Sequence, residues 1–173
     1  MVRTLLLLVF SLWLGMGIGV SFVAVPHVFS PGVRDALPPG GSGRIAQGIL
    51  LRTFQWQAGL AAAACVLELL ARSRGSLPAT RLRSLLLPTL LGLSLATLFW
   101  VHPTMRGHFE RKYSADLPEA QRVEAGKRFA AWHGATQAGN LLVLAATLAC
   151  WWQVAQALSK VSPTAQAPRT DGR

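Results

Sequence analysis

Four stretches of this chain carry at most one charged side chain each, and each is about long enough to cross a lipid bilayer. A spanning helix needs about 20 mostly apolar residues, because the hydrocarbon core is about 30 Å thick. The stretches fall at residues 5–25, 53–71, 84–101 and 130–158. No charge interrupts the chain between Arg3 and Arg34, and none occurs within 84–101 or 130–158. The second stretch is the most polar, holding Gln55, Gln57 and Glu68. Each must be helical, since an open strand in lipid leaves backbone groups unpaired. The chain therefore reads as an all-α integral membrane protein, four transmembrane helices forming a small bundle. The membrane domain occupies residues 1–158, and a polar, disordered tail follows over 159–173.

Composition agrees. Of 173 residues, 51% are hydrophobic and only 14% charged, against about a quarter charged in ordinary soluble domains. So short a soluble chain has no core large enough to hide that much apolar surface. The net charge of +10 raises the question of nucleic acid. The basic residues, however, fall in the gaps between apolar runs, where membrane proteins keep them, so nucleic-acid binding is not expected. The first stretch exceeds the apolar core of about 7–15 residues in a cleaved signal peptide, and it reads as a retained span. Cys65 and Cys150 lie inside apolar runs at no metal or redox spacing, so both read as small hydrophobes.

The tryptophans fit four crossings. Trp56 opens the second span, Trp100 closes the third and Trp132 opens the fourth, so all three belong at one membrane face. Trp151 and Trp152 belong towards the other, as an aromatic belt requires. Only Trp13 sits within a span. The connection over 72–83 packs Arg72, Arg74, Arg81 and Arg83 without an acid. Short, dense basic loops face the cytoplasm, so both termini are expected there and the cell (inner) membrane is the expected location.

Pro26 is expected to end the first helix, since it has no N–H to donate. Pro and Gly make 30–43 irregular, and Ser42 is the expected cap of a short amphipathic helix through Ile45, Ile49 and Leu50. Asp116-Leu117-Pro118-Glu119 has the pattern of a helix start, from which one helix runs unbroken into the fourth span. Ser11, Gly15 and Gly19 form a small-residue stripe read as a close helix contact, with Ala135 and Gly139 as a weaker one.

Polar residues inside the spans are the candidate functional positions, because lipid makes them costly. Glu68 is the only acid within a span. The plain reading pairs it with Arg72 one turn on, which predicts that the two residues can be exchanged; the sharper one makes it a proton or cation site. His133, Gln137 and Asn140 stand at i, i+4 and i+7, on one helical face, turned inward towards Ser11, Gly15 and Gly19 or towards the polar start of the second span, which holds Gln57. They act either as polar glue between helices or as the lining of a small cavity open to the outer face. His27, His102, His108 and His133 all lie on one side of the membrane. Converging, they suit copper, zinc or a haem iron, but no close metal-ligand spacing joins them, and four separate interfacial histidines is the plainer reading.

Several short motifs recur in order across the spans: Trp13-Leu14-Gly15, then Pro26 with Phe29, then Gly43-Arg44, then His102-Pro103-Thr104-Met105, then His133-Gly134 and Asn140-Leu141. Together they resemble the transmembrane protein 205-like family, a group classed as a domain of unknown function, over about residues 8–155. One departure is that the family's Phe-Pro-x-Tyr-like entry to the second span is here Leu50-Leu51-Arg52-Thr53-Phe54. The resemblance implies a four-helix membrane protein and supplies no reaction, cofactor or catalytic residue.

Three classes of function stay open. The first is a non-enzymatic accessory or membrane-organising component, partnered by the bilayer and by a second copy or another membrane protein. The second is a small-solute or metal-ion (copper or haem) handling protein using the outer histidines. The third, an intramembrane enzyme, ranks last, because beyond Glu68 the spans offer no convergent acid, base or nucleophile. No enzyme activity and no cofactor are expected.

Overall fold

The computed structural model describes residues 1–75 and 80–159. They form α1 (Val2–Val28), the short α2 (Pro31–Asp35), α3 (Gly41–Ser73), α4 (Arg81–Lys112) and α5 (Glu119–Ser159), with no strand among them. The four long helices are each long and apolar enough to cross a membrane. The protein is an all-α membrane bundle. Part of the basic connection, 76–79, and the expected tail beyond Ser159 lie outside the described residues. Arg3 Nη1 donates to the Ala157 carbonyl at 3.4 Å, which puts both ends of the described chain at one end of the bundle.

Core packing follows a seven-residue rhythm. In α1 the buried positions are Val2, Leu6, Phe10, Trp13 and Gly17. In α3 they include Gln57, Ala61, Ala64, Glu68 and Ala71. Spacings of three and four keep one seam facing its neighbours. The alanines of α3 let the large Phe10 and Trp13 of α1 close over it, together with Leu87 and Leu90 of α4 and Cys150 and Val154 of α5. Large apolar residues such as Leu85, Phe99 and Leu142 instead stand exposed, as lipid-facing side chains do.

Two prolines change that rhythm. Residues Val20–Ala24 of α1 and Thr97–Val101 of α4 each form a π-helical turn, and each turn ends two residues before Pro26 or Pro103. Val25 N–H bonds the Val20 carbonyl, and His102 N–H bonds that of Thr97, five residues back rather than four. The wider turn accommodates a proline that cannot donate, and it inserts one residue into the helix. Pro26 therefore does not end α1, which continues to Val28. The inserted residue also rotates everything beyond it. Seam positions Arg83, Leu87, Leu90 and Ser94 are followed by His102, Met105 and Phe109, each one position later than an uninterrupted pattern gives. In α1 the same shift buries Val28 and leaves His27 exposed.

The long helices outrun the bilayer. At 1.5 Å per residue, α3 is about 50 Å long and α5 about 60 Å. The N-terminal part of α3, the C-terminal part of α4 and the N-terminal part of α5 pack together around Phe109. Its ring lies 4.9 Å from that of Tyr113 and 5.4 Å from that of Phe129. Gly40 opens α3 in the left-handed region (φ 79°), which glycine adopts freely, and its Cα faces the Tyr113 ring. Ser42 is then inside α3 and buried, not its cap, and the short amphipathic helix expected there is the first part of α3. Likewise α5 starts at Glu119, where the Pro118 carbonyl accepts from the N–H groups of Gln121 and Arg122.

The small-residue stripe is displaced too. Gly15 and Gly19 have open space where a side chain would go, as does Gly139. The close contact is at Gly17, where an added Cβ lands 2.6 Å from Leu144 Cδ2 of α5. Gly17→Leu should therefore destabilise the purified protein by about 1–3 kcal/mol through overpacking, read as a fall in thermal midpoint, whereas Gly15→Leu should fall within about 0.5 kcal/mol of the parent.

Candidate functional site

Two polar clusters lie inside the bundle, one towards each end. Nearer the chain termini, Glu68 is 3% exposed. Its Oε1 accepts from Arg72 Nε and Nη2, at 3.1 and 3.0 Å, and from Arg83 Nε at 3.2 Å. Arg72 Nη2 also donates to Ser84 Oγ at 2.7 Å, and Ser84 Oγ donates to the Thr80 carbonyl. Thr80 caps α4 by accepting from Arg83 N–H, and its hydroxyl donates to Gln153 Oε1 at 2.7 Å. One carboxylate thus ties α3 to α4, and the cap of α4 ties that pair to α5. Arg72 is where the i, i+4 spacing puts it. Arg83 is not: in the sequence it is one more loop arginine, yet it is 1% exposed and occupies the first seam position of α4.

The second cluster surrounds Asn140 of α5. Its Oδ1 accepts from Gln57 Nε2 of α3 at 3.3 Å, and its Nδ2 donates to Ser21 Oγ of α1 at 3.0 Å. One carboxamide therefore links three helices. Ser21 lies in the π-helical turn of α1. Asn140 also stands between two cavities of about 200 and 260 Å³, the first shared by α3, α4 and α5, the second by α1, α3 and α5. The first is bordered by Thr97 and Val101 of the π-helical turn in α4. Both π-helical turns thus border the Asn140 cluster, and such turns concentrate at functional sites.

The expected face of α5 is only partly inward. His133 and Asn140 are seven residues apart and share the seam of Thr147 and Val154. Gln137 falls one position off it; Thr136 takes the inward place, and Gln137 is exposed at the groove. The reason is geometric: i+3 and i+4 straddle a seam, and packing rather than spacing selects between them.

The histidines do not converge. His27 is exposed, His108 and His133 are half-buried, and His102 is buried with its ring edge-on to Phe54 at 5.9 Å and its Nε2 3.3 Å from the Gln47 carbonyl. His133 stacks on Phe129 at 5.7 Å. Among the described residues no three His, Cys, Asp or Glu side chains are grouped to hold a metal ion. The candidate metal set is therefore not assembled, and the π-helical turn that rotates His27 outward is one physical cause. Trp100 and Trp132 meet edge-on at 6.0 Å near this end of the bundle, and Trp151 Nε1 donates to Ser11 Oγ at 3.0 Å towards the other. Trp13 is wholly buried.

A known family model matches the chain over residues 8–113, from within α1 to the end of α4. The chain belongs to the DUF4149 family, a domain of unknown function. No curated protein and no solved structure matches the chain. The DUF4149 match takes in Ser21, Gln57, Glu68 and Arg83 and stops before α5, so Asn140 is the one member of its hydrogen-bonded trio outside it. Of the other motif positions, Gly15 and Gly134 are exposed and Phe29 is largely so, standing at the end of α1.

Burial of Arg83 overturns the expectation that Glu68 and Arg72 can be exchanged. Glu68→Arg with Arg72→Glu sets two guanidinium groups together in the bundle and should prevent folding. Glu68→Gln should cost about 3–5 kcal/mol, the toll of leaving a buried charge uncompensated, and Glu68→Gln with Arg83→Met should recover part of it in a thermal unfolding assay. Asn140→Leu strips partners from both Gln57 and Ser21. Membrane hydrogen bonds are worth about 0.6–1.7 kcal/mol each, so this change should lower the midpoint more than Gln137→Leu does.

Proposed function

We propose that this protein is a non-enzymatic, multi-pass component of the cell membrane, acting as an accessory or membrane-organising subunit. The observation that carries the proposal is how the intramembrane polar groups are used. Glu68 is engaged by two arginines from different helices, and Asn140 bridges three helices. Groups committed in this way hold helices in register rather than meeting a substrate. The outer lobe around Phe109 extends the bundle beyond the span and gives such a component a folded surface of its own. Its partners on this reading are the bilayer and either a second copy of the chain or another membrane protein. Within DUF4149, the ordered motifs from Trp13 to Asn140 support a place in the transmembrane protein 205-like group.

The alternative, small-solute or metal-ion handling at the outer histidines, has less support because those side chains stand apart. The basic residues Arg72, Arg74, Arg81 and Arg83 between α3 and α4 favour the cytoplasm for that connection and for both termini, although the burial of Arg83 leaves three of the four to carry the bias. Two measurements test the proposal. Purification from native membranes should bring down a stoichiometric membrane protein or a homo-oligomer, with colourless protein free of stoichiometric copper, zinc or haem; a coloured or metal-loaded preparation would favour the alternative. Reporter fusions after Ser159 and within 113–118 should be active on opposite sides, the first in the cytoplasm, and the reverse result would invert the topology.

A further inference from the structure

The groove of about 260 Å³ between α1, α3 and α5 carries unmet polar chemistry. Asn140 Nδ2 occupies Ser21 Oγ as acceptor, which leaves the Ser21 hydroxyl proton to be donated. No partner for that proton, for the ring nitrogens of His133 or for the Gln137 carboxamide occurs among the described residues, and all three residues line the groove. The π-helical turn adds an acceptor. Val25 N–H goes to the Val20 carbonyl, and Pro26 has no N–H, so neither the α-helical donor four residues on nor the π-helical donor five residues on serves the Ser21 carbonyl. Thr53 and Thr136 also line it, their hydroxyls already donating to the Ile49 and Trp132 carbonyls of their own helices, beside the apolar Val20, Leu50 and Phe54, and Phe22 and Leu141 stand exposed at the rim. No Lys, Arg, Asp or Glu lines it.

In water these groups would be solvated and unremarked. Facing hydrocarbon, each needs a partner that lipid tails cannot supply. We propose that this groove binds a membrane amphiphile whose small uncharged head both donates and accepts hydrogen bonds. The head lies against Ser21, His133 and Gln137, and the tail leaves between Phe22 and Leu141. A hydroxyl of the head donates to the Ser21 carbonyl, and another of its oxygens accepts from the Gln137 amide. Lack of a cation in the wall selects against phosphate-bearing heads, because a buried anion without a counter-charge is heavily penalised. A quinol ring and a diacylglycerol share this chemistry. The inference stands apart from the accessory role proposed above, since a bound amphiphile is compatible with either reading of function.

The test uses the full chain in phosphatidylcholine nanodiscs, titrated under argon with decylubiquinol and followed by quenching of tryptophan fluorescence, Trp132 being one residue from His133. Saturable quenching is expected. Gln137→Leu should weaken it about fivefold, the worth of one hydrogen bond, and because Gln137 is exposed and bonds no other side chain, that variant should fold. Ser21→Ala should weaken it as well, whereas Leu142→Ala, on the lipid-facing side, should not. Displacement of the quinol by dioctanoylglycerol would show that the site takes both kinds of head; failure to displace would assign it to the ring. Quenching that never saturates, that is equal in the parent and Gln137→Leu, or that phosphatidylglycerol suppresses as well as neutral competitors do, would overturn the proposal.

Discussion

Inside a bilayer no water is at hand to satisfy a polar group, and most of this structure follows from that shortage. The backbone answers it by forming helices throughout the spans. The side chains answer it by pairing across helices. Glu68 draws in Arg83 from α4 as well as Arg72 from its own helix, and Asn140 bridges α1 and α3 from α5. With one cluster towards each end of the bundle and a seam of small and large apolar residues between them, the four helices are fixed in rotation as well as in contact. Apolar packing alone discriminates weakly here, since lipid tails are as apolar as leucine.

The prolines use the same constraint differently. A proline inside a spanning helix removes a donor that nothing in lipid replaces, and the two π-helical turns before Pro26 and Pro103 absorb the defect by widening the helix for one turn. That local repair has a distant consequence. Inserting one residue turns the remainder of each helix by about 100°. It brings His102, Met105 and Phe109 into the lobe where α3, α4 and α5 meet, and sends His27 to the surface. It also sets the π-helical turn of α1 against Asn140, whose carboxamide donates to Ser21 within that turn. Membership of DUF4149 places both proline elements within the matched region of the family model, so the geometry they impose belongs to the part of the chain that defines the family.

Four spans, their helical state, the common side of the two termini and the unbroken run of the fourth helix from Glu119 were legible in the sequence, because each follows from hydropathy, length and the absence of water. So was the pairing of Glu68 with Arg72, a contact within one helix whose geometry is set by 3.6 residues per turn. Tertiary structure alone decided the contacts between helices. Arg83 is indistinguishable in sequence from its basic neighbours, and only the rotation of α4 about its axis makes it the buried partner of Glu68. Gly17 rather than Gly15 meets α5, and Gln137 leaves the seam while Thr136 and Asn140 hold it, because spacing defines a face to within one residue and packing chooses the residue. The expectation that the histidines share one side of the membrane follows from their places at the ends of the spans. Whether they meet depends on two inserted residues whose effect appears only once the helices are wound: a one-residue insertion leaves hydropathy unchanged and rotates everything that follows.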